Sequence, residues 1–405
     1  MSSTADMSAR EDTGMAVTVL SFPFSWLFTT FFHISSCGNG TCGYPDRFRQ
    51  NMMRFGESFW RCTAGSALGV AARMADSGRV YIIIVNWNGW PDTLECLATV
   101  FRSTYPDFRV IVCDNGSCDD SVAQISAWGA GELRYPVSGS PLGELMVATD
   151  RRIRTVVVPS DQIFSSWAAK DDWDLLVLAI GANLGFAGGN NVGMRLALAL
   201  GDCAYVWLLN NDTVVDPRAL SAMVHRMEAV SRAGMCGSRI HYYHEPGKIW
   251  ALGGGYFRKL IGRSENIGLG LDISDGKSMD TEAVESIMEY PAGASMLVRE
   301  AYLRAVGLMD ESYFLYCEEP DWAMRGAGRF TLAYARDSVV YHKVAASTQK
   351  LDADALSAEV RLLRSQLRFM ARFHPQYSLL FLIRFLFAKG KSMMAFRVAQ
   401  EDLSR

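Results

Sequence analysis

The chain has 405 residues, with 40 basic and 43 acidic side chains and a formal net charge of −3. Hydrophobic residues make up 49% and charged residues 20%, which is the balance of a globular protein with a sizeable core. The near-neutral charge gives no argument for nucleic acid as a partner, and none is expected. The length predicts one large domain with additions, or two domains.

Nine cysteines are scattered along the chain without a CxxC pair, which argues against a zinc cluster and a disulfide framework. We therefore expect a cytoplasmic protein. Residues 1–78 show no regular alternation of elements, and the apolar stretch 19–34 is short and interrupted by Pro23. We interpret residues 1–78 as an N-terminal extension, partly unordered or in contact with a membrane.

From residue 79 onward, strand and helix patterns alternate. Residues 80–85 are a continuous apolar run, typical of a buried parallel strand. Further strands are predicted at 110–113, 175–178 and 205–209, and helices at 92–102, at 189–200 and from Asp216, which suits an N-cap. Residues 129–174 are interpreted as an insertion without visible chemistry. This alternation predicts an α/β fold with a mainly parallel central sheet flanked by helices.

The C-terminal part has a different pattern. Residues 356–373 form an amphipathic helical pattern, and the mostly apolar residues 378–388 are followed by Lys389 and Lys391. The apolar run is too short to cross a bilayer. Two alternatives remain open: the segment lies in the membrane surface with its lysines near lipid head groups, or it is a helix docked on the main domain.

Polar clusters follow three of the predicted strands, at the edge where open α/β sheets bind ligands. They are Asn86-Trp87-Asn88, Asp114 to Ser117 and Asn210-Asn211-Asp212. One such cluster alone is explained by an ordinary turn, but three at the same edge predict a polar ligand.

A glycine-rich turn, Asn183 to Asn191, enters the helix predicted at 189–200. Such a turn can present backbone N–H groups to a phosphate. It is neither GxGxxG nor a Walker loop, so dinucleotide binding and NTP hydrolysis lack their fingerprints.

Seven motifs occur in order along the chain: VNWNGW, VCDNGSCDD, NLGFAGGNN, LLNNDTVVDP, PAGASMLVRE, GLMDESYFLYCEEPDW and VVYHKVAAST. Together, over about residues 79–348, they resemble the family 2 glycosyltransferases, particularly the rhamnosyltransferase-like branch. The resemblance implies a GT-A, Rossmann-like domain at 79–348 and leaves 349–405 as a helical C-terminal extension. It also implies a nucleotide-diphosphate-sugar donor, a divalent metal ion and inversion at the anomeric carbon.

The resemblance assigns roles on the donor side. Asp114 matches the family acid that recognises a pyrimidine base, and Trp87 is placed to stack on that base. Asp212 is the metal-binding member of the DxD position, where Asn210 replaces the first acid, and His342 matches a metal-binding histidine; the ion would be Mg²⁺ or Mn²⁺. The residues predicted to bind the nucleotide sugar are Asn86, Trp87, Asn88, Asp114, Asn183, Gly185, Gly188, Gly189, Asn191, Asn210 and Asn211.

The resemblance also assigns a base. Glu319 falls at the position of the family's catalytic acid residue, with Glu in place of the usual Asp. Pro320 is predicted to begin a helix whose positive end would help keep Glu319 ionised. Glu318 and Asp321 are the other catalytic candidates, and each is equally explained as a helix-start charge. The PAGAS turn and Gly253–Gly255 are expected to shape the acceptor side, although an ordinary turn also explains the three glycines.

The resemblance thus implies an inverting, metal-dependent glycosyltransferase in the cytoplasm, with peripheral contact at the inner face of the cell membrane as an open alternative. The expected donor is dTDP-rhamnose or a UDP-hexose, and the expected acceptor is a cell-envelope glycan or a lipid-linked sugar. Two alternatives stay open. A sugar nucleotidyltransferase would need a basic glycine-rich signature beside its first strand, which Asn86-Trp87-Asn88 does not supply. A degenerate protein that binds nucleotide sugars without turnover is favoured by Asn210 and Glu319, and opposed by Asp212 and His342.

Overall fold

The computed structural model describes residues 78–134, 142–146, 153–160, 162, 173–275, 280–344 and 355–385. All of these residues lie in one compact unit, residues 43–405. The extension expected at 1–78 lies outside the described residues apart from Gly78. No helix in the described ranges is long and apolar enough to cross a membrane.

A ten-stranded mixed sheet forms the centre of the molecule, and a three-stranded sheet lies beside it. The strands in chain order are β1 (Arg79–Asn86), β2 (Phe108–Asp114), β3 (Thr155–Pro159), β4 (Leu175–Ala179), β5 (Cys203–Asn210), β6 (Thr213–Val215), β7 (Ala233–Tyr242), β8 (Ile249–Leu252), β9 (Gly254–Arg258), β10 (Arg263–Asn266), β11 (Tyr290–Pro291), β12 (Ser295–Arg299) and β13 (Thr331–His342). The large sheet has the order β3-β4-β2-β1-β5-β12-β7-β13-β6, with β8 paired to β7, and the small sheet has the order β10-β9-β11.

Helices flank the sheet on both faces. They are α1 (Trp90–Val100), α2 (Ser121–Gly129), α3 (Gly185–Leu200), α4 (Ala219–Ala229), α5 (Thr281–Ile287), α6 (Glu300–Val306), α7 (Glu318–Gly326) and α8 (Ala355–Phe373). Alternate side chains of β1 enter two different cores because successive strand residues point to opposite faces. Ile82 packs in the cluster that contains Leu94 of α1, whereas Ile83 packs in the cluster that contains Val192 of α3. The apolar run of β1 is thus explained by burial on both sides.

The strand directions bring the predicted polar clusters together. The strands β1 to β5 pair in parallel, β12 runs antiparallel between β5 and β7, and β13 is parallel to β7. The carboxyl ends of β1, β2, β5 and β13 therefore share one edge with the amino end of β12. Asn86, Asp114, Asn210, His342 and Ser295 occupy those strand ends. The mixed α/β architecture with a mainly parallel sheet, predicted from the sequence, is confirmed.

Several boundaries differ from the predictions. The segment interpreted as an insertion at 129–174 contains β3, which extends the sheet beside β4. The helix expected to begin at Asp216 begins at Ala219, because Asp216 Oδ1 accepts the Arg218 N–H at 2.8 Å and closes a turn before the helix. The glycine-rich helix begins at Gly185, one turn earlier than expected.

The amphipathic C-terminal helix is confirmed as α8, and a further helix covers residues 375–385. Phe381 of that helix is 4% exposed and packs in an apolar cluster with Phe257 and Phe369. Phe381 thus docks this helix on the main domain, whereas the alternative of membrane contact stays a prediction and Lys389 and Lys391 lie outside the described residues.

Candidate active site

Asp114 lies at the end of β2 and is held by neutral donors. Asn86 Nδ2 donates to Asp114 Oδ2 at 2.8 Å, the Ser117 hydroxyl donates to the same oxygen at 2.6 Å, and the Ser117 N–H donates to Oδ1 at 3.1 Å. No cation contacts the carboxylate in these bonds, so it remains an acceptor at the sheet edge. Asn86 is fully buried, and its structural contribution is to fix Asp114.

The loops after β1 and β2 are tied to each other through Asn88. Its N–H donates to Ser117 Oγ at 2.9 Å and its Oδ1 accepts the Cys118 N–H at 2.9 Å. Asn88 has a φ of 48°, a left-handed conformation that Asn tolerates better than most residues. Trp87 precedes it and is partly exposed, so its predicted stacking on a base stays a prediction.

A buried hydroxyl that sequence reasoning missed joins two of the predicted clusters. Thr93 of α1 donates to Asn86 Oδ1 at 2.7 Å and accepts from Asn211 Nδ2 at 3.1 Å. A continuous hydrogen-bonded chain therefore runs from Asp114 through Asn86 and Thr93 to Asn211, which directly precedes Asp212. Thr93 is fully buried on α1, and nothing in the sequence of the helix indicates that its hydroxyl makes these two bonds.

The glycine-rich turn uses its backbone N–H groups within the protein. The Leu184 N–H donates to Asn115 Oδ1, the Gly185 N–H to Asn183 Oδ1 and the Phe186 N–H to the Phe314 carbonyl. These three N–H groups thus donate to acceptors within the protein, whereas the motif predicted N–H groups that are free to bind a phosphate. The turn instead holds α3 against the sheet edge and against the loop that leads to α7.

Glycine at 188 and 189 and asparagine at 191 serve packing in this structure. A side chain on Gly189 would crowd Val85, and one on Gly188 would crowd Leu184. Asn191 uses both ends of its amide, because Nδ2 donates to the Met309 carbonyl at 2.9 Å and Oδ1 accepts the Met309 N–H at 3.1 Å. These residues position the site, and direct donor contacts by them remain untested predictions.

Asp212 and His342 form a buried pair at the ends of β5 and β13. His342 Nε2 lies 3.1 Å from Asp212 Oδ1 and 3.5 Å from Asn210 Nδ2, and the Trp250 ring packs edge-on against the imidazole at 4.7 Å. Burial alone would raise the pKa of Asp212, but His342 outweighs it and holds that pKa below its usual value. Asp212 is therefore a carboxylate in this environment.

This pair fits two ligands of one divalent cation. Two metal bonds of about 2.1 Å at a right angle place their ligand atoms about 3.0 Å apart, which matches the 3.1 Å separation of Nε2 and Oδ1. The described residues contain no group of three or more His, Cys, Asp or Glu side chains suited to a metal. Asp212 and His342 would thus hold the ion only together with oxygens from a ligand or water. The same contact is also a simple hydrogen bond, so occupancy by metal is a proposal.

Lys343 directly follows His342 and links the end of β13 to α1 through ion pairs. Its ammonium lies 2.7 Å from Asp92 Oδ1, forms an ion pair with Glu95 and sits 5.0 Å from the centre of the Tyr243 ring. Burial alone would lower the pKa of Lys343, but hydrogen bonds to the two acids raise it overall. Its backbone N–H donates to the Asp212 carbonyl at 3.0 Å, so this cluster fixes both members of the Asp212–His342 pair.

Glu319 lies in the first turn of α7, which begins at Glu318 rather than at Pro320. Burial raises the pKa of the Glu319 carboxyl to about 7, although hydrogen bonds from its own N–H and from Gly293 oppose the rise. A side chain on Gly293 would overlap Glu319 Oε1, so only glycine admits the carboxyl here. The next residue, Ala294, accepts the Asn210 N–H at 3.1 Å. The PAGAS turn therefore joins Glu319 to the Asn210 end of β5.

The structure separates Glu319 from the two other catalytic candidates. Asp321 is fully buried and accepts hydrogen bonds from Arg325 at 2.8 Å, Arg372 at 2.9 Å and Tyr313 at 3.2 Å, so it is a structural helix-start charge. Glu318 is 2% exposed, and its Oε2 has no hydrogen-bond partner among the described residues. Burial and the neighbouring Glu319 raise the pKa of Glu318 well above its usual value, which favours its protonated form.

Gly253–Gly255 permit a close approach between strands. Gly253 has a φ of 72°, and a side chain on Gly254 would overlap the backbone of Tyr290 in β11. This contact explains the glycines by packing, and a role on the acceptor side remains a prediction.

Three solved structures illustrate the distant likeness of this fold to known proteins. A mannosyltransferase from Pyrobaculum calidifontis, PcManGT in complex with GDP-Man and Mn²⁺, is 13% identical, with 87% of this chain and 89% of that chain covered at a TM-score of 0.42. S. aureus TarS 1–349 is 13% identical, with 74% and 73% covered at a TM-score of 0.38. GalNAc-T7 with UDP, GalNAc and Mn²⁺ is 14% identical, with 65% and 44% covered at a TM-score of 0.42. These likenesses are too distant to assign a donor.

No individually curated protein matches the sequence. The family model for glycosyl transferase family 2 matches residues 81–137 and 159–288. The matched segments contain Asp114 and Asp212 at the sheet edge and end before Glu319 and His342. Over these segments, which make up somewhat less than half of the chain, the sequence is similar to glycosyl transferase family 2.

Proposed function

We propose that the protein is an inverting glycosyltransferase that moves a sugar from a nucleotide diphosphate to a glycan or lipid-linked acceptor. The observation that carries the proposal is a series of contacts that links the Asp212–His342 pair to Glu319. Asn210 lies beside His342 and donates its N–H to Ala294, and the preceding Gly293 forms a backbone hydrogen bond with the Glu319 carboxyl. A single displacement needs charge stabilisation for the leaving diphosphate and a base for the acceptor hydroxyl. The chain offers residues for both tasks at one sheet edge of a GT-A-like fold.

On the donor side, Asp114 would accept the N–H of a pyrimidine base, and Trp87 would cover the base. The neutral donors Asn86 and Ser117 support this role because they orient the carboxylate without neutralising its charge. We propose dTDP-rhamnose or a UDP-hexose as the donor, in keeping with the motifs of the rhamnosyltransferase-like branch.

Asp212 and His342 would hold Mg²⁺ or Mn²⁺ together with the donor diphosphate. The bound ion would stabilise negative charge on the departing diphosphate as a Lewis acid. Asn210, beside His342 Nε2, supplies an amide where a second carboxylate is usual, so the donor's own phosphates would complete the ligand set. The Lys343 cluster would keep the pair in place while the donor binds and leaves.

Glu319 would accept the proton of the acceptor hydroxyl as that oxygen attacks the anomeric carbon. Its pKa of about 7 lies where a general base is effective, because the carboxylate is available yet basic enough to take a proton. The buried Glu318 is expected to keep its proton throughout.

A non-catalytic nucleotide-sugar-binding protein is the second candidate, because Asn210 leaves only two protein ligands for a metal. An assay of donor hydrolysis and sugar transfer by the full-length protein, with Mn²⁺ or Mg²⁺ and a panel of nucleotide sugars, separates the two candidates. We expect metal-dependent turnover that Asp212→Asn nearly abolishes, together with metal-dependent binding of UDP or dTDP. Asp272→Asn, at an exposed acid, is the control. Saturable binding without turnover would favour the second candidate, and unchanged metal titration in Asp212→Asn would remove Asp212 from the site.

A further inference from the structure

The turn between β9 and β10 presents apolar side chains to solvent among cations. Leu260 is 55% exposed and Ile261 is 38% exposed. Arg258, Lys259 and Arg263 surround them and are also exposed. Adjacent aliphatic side chains exposed at the tip of a hairpin are available for contact with a partner, provided that they belong to a larger apolar patch.

A second segment continues this surface. Phe381 anchors the helix at 375–385 to the turn between β9 and β10. The Phe381 ring lies so close to Gly262 of that turn that any side chain at position 262 would overlap the ring. The same helix leaves Leu379 61%, Leu380 40% and Ile383 42% exposed. Two segments more than a hundred residues apart in sequence thus lie side by side, and their exposed aliphatic residues are together called the tip–helix patch: Leu260, Ile261, Leu379, Leu380 and Ile383.

The charge around the tip–helix patch is positive. Arg263 and Arg384 are exposed and form no ion pair with any residue that the structure describes. Arg258 pairs with Glu265 at 2.7 Å, and Lys259 lies 3.4 Å from Glu289, so these two cations are partly compensated. The sequence of the helix itself, 375–385, contains no acidic residue.

We propose that the tip–helix patch binds the surface of a membrane that contains anionic lipid. Exposed aliphatic side chains bordered by arginine and lysine match the two attractions of such a surface, burial among acyl chains and attraction to charged head groups. A protein partner would have to supply both an apolar face and acidic groups, whereas an anionic bilayer offers both over any area.

The patch adjoins the acceptor side of the active site. Phe257, the neighbour of Arg258 on β9, packs in the same apolar cluster as Phe381 and Cys317, and Cys317 directly precedes Glu318 and Glu319 in α7. Membrane binding would therefore bring a lipid-linked acceptor towards Glu319. This orientation rests on the proposed function, but the binding of lipid does not.

Sedimentation of the full-length protein with vesicles tests the proposal without any nucleotide sugar. Vesicles of equal parts phosphatidylglycerol and phosphatidylcholine are compared with vesicles of phosphatidylcholine alone. We expect binding to the anionic vesicles only. Leu260→Asp and Ile383→Asp should each weaken it about tenfold or more, and Arg263→Glu should weaken it about tenfold at low salt, with a smaller loss at high salt. Leu269→Asp is the matched control, because Leu269 is also 55% exposed but lies beyond the opposite end of β10.

Each outcome of the vesicle assay either supports the membrane-binding role of the patch or overturns it. Loss of binding in Leu260→Asp and Ile383→Asp, with Leu269→Asp unchanged and all three variants folded by circular dichroism, supports the proposal. Absence of vesicle binding by the wild-type protein overturns it. Equal binding to both vesicle types overturns the anionic preference. A wild-type dimer that Leu260→Asp converts to monomer, without vesicle binding, would assign the patch to contact between two copies. Because no sugar is transferred in this assay, failure of the proposed enzymatic function would leave its result unaffected.

Discussion

Replacing Glu319 with Gln tests the assignment of the general base directly. The amide keeps the size of the side chain but cannot accept the proton, so donor binding should survive while transfer falls by about 10²–10⁴-fold. The pH profile of the wild-type enzyme gives an independent measure. With a pKa of about 7, roughly half of the Glu319 carboxyls are ionised at pH 7 and about a tenth at pH 6. Since the base acts as the carboxylate, the rate should rise with pH, about fivefold from pH 6 to 7 and about twofold from pH 7 to 8.

Single-turnover transfer with saturating donor and metal is the assay, because product release could otherwise hide the chemical step. Glu318→Gln is the matched control: the amide resembles the protonated acid that burial favours at Glu318, so its rate should stay within a few-fold of wild type. Glu319→Asp should retain partial activity, since it keeps the carboxylate but shortens its reach. A flat wild-type profile between about pH 6 and 8, or near-normal transfer by Glu319→Gln, would refute the reasoning. A collapse of transfer in Glu318→Gln instead would move the base to Glu318.

Four further substitutions test contacts that position the site. Gly293→Ala should push the flexible Glu319 carboxyl aside rather than the backbone, lowering transfer at least about tenfold in the same assay while thermal unfolding stays near wild type. Thr93→Val should remove the hydrogen bonds that the Thr93 hydroxyl makes with Asn86 Oδ1 and Asn211 Nδ2, which costs about 1–3 kcal/mol of unfolding free energy and weakens UDP or dTDP binding in calorimetric titration. Asp321→Ala should lower the unfolding free energy in urea by about 3 kcal/mol or more, whereas Arg372→Ala, at the half-exposed end of the pair, should lower it by about 1 kcal/mol or less. Equal losses in the last two variants would contradict the view that burial sets the energy of this contact.

The strands in the parallel half of the sheet could be predicted because the burial of each strand is visible in its own short stretch of sequence. The run at 80–85 is buried on both faces and therefore apolar at every position, which a single stretch of sequence displays. By contrast, β3 is a short edge strand in which Val156 is 36% and Val157 39% exposed, so it carries no clear burial pattern. Strands such as β6 and β11 span only three and two residues, and tertiary pairing rather than propensity creates them.

The candidate site was predictable in composition but not in connectivity. The polar clusters at Asn86, Asp114 and Asp212 were visible because each follows a strand. Their links through Thr93 were not, because nothing in a helix sequence indicates that one hydroxyl joins two strand ends. Lys343 and Asp92 are 251 positions apart, so their ion pair depends on the fold alone. Similarly, Glu319 and Asp321 look alike in sequence, and it is the contacts of Tyr313, Arg325 and Arg372 with Asp321 that separate this structural acid from the proposed base.

The antiparallel strand β12 is the element that makes the two halves of the site one unit. It pairs with β5 on one side and β7 on the other, so its amino end meets the carboxyl end of β5. The turn that precedes it must then pass beside Asn210, and Gly293 in that turn leaves the space that Glu319 fills. Because the matched family segments end at residue 288, both this turn and α7 lie beyond them. The acids proposed for the donor side thus lie in the segments that match the family model, whereas the proposed base and the tip–helix patch depend on contacts with the C-terminal part. Changes in acceptor preference among related chains are therefore expected to fall in β12, α7 and the C-terminal helices rather than in the β1–β5 core.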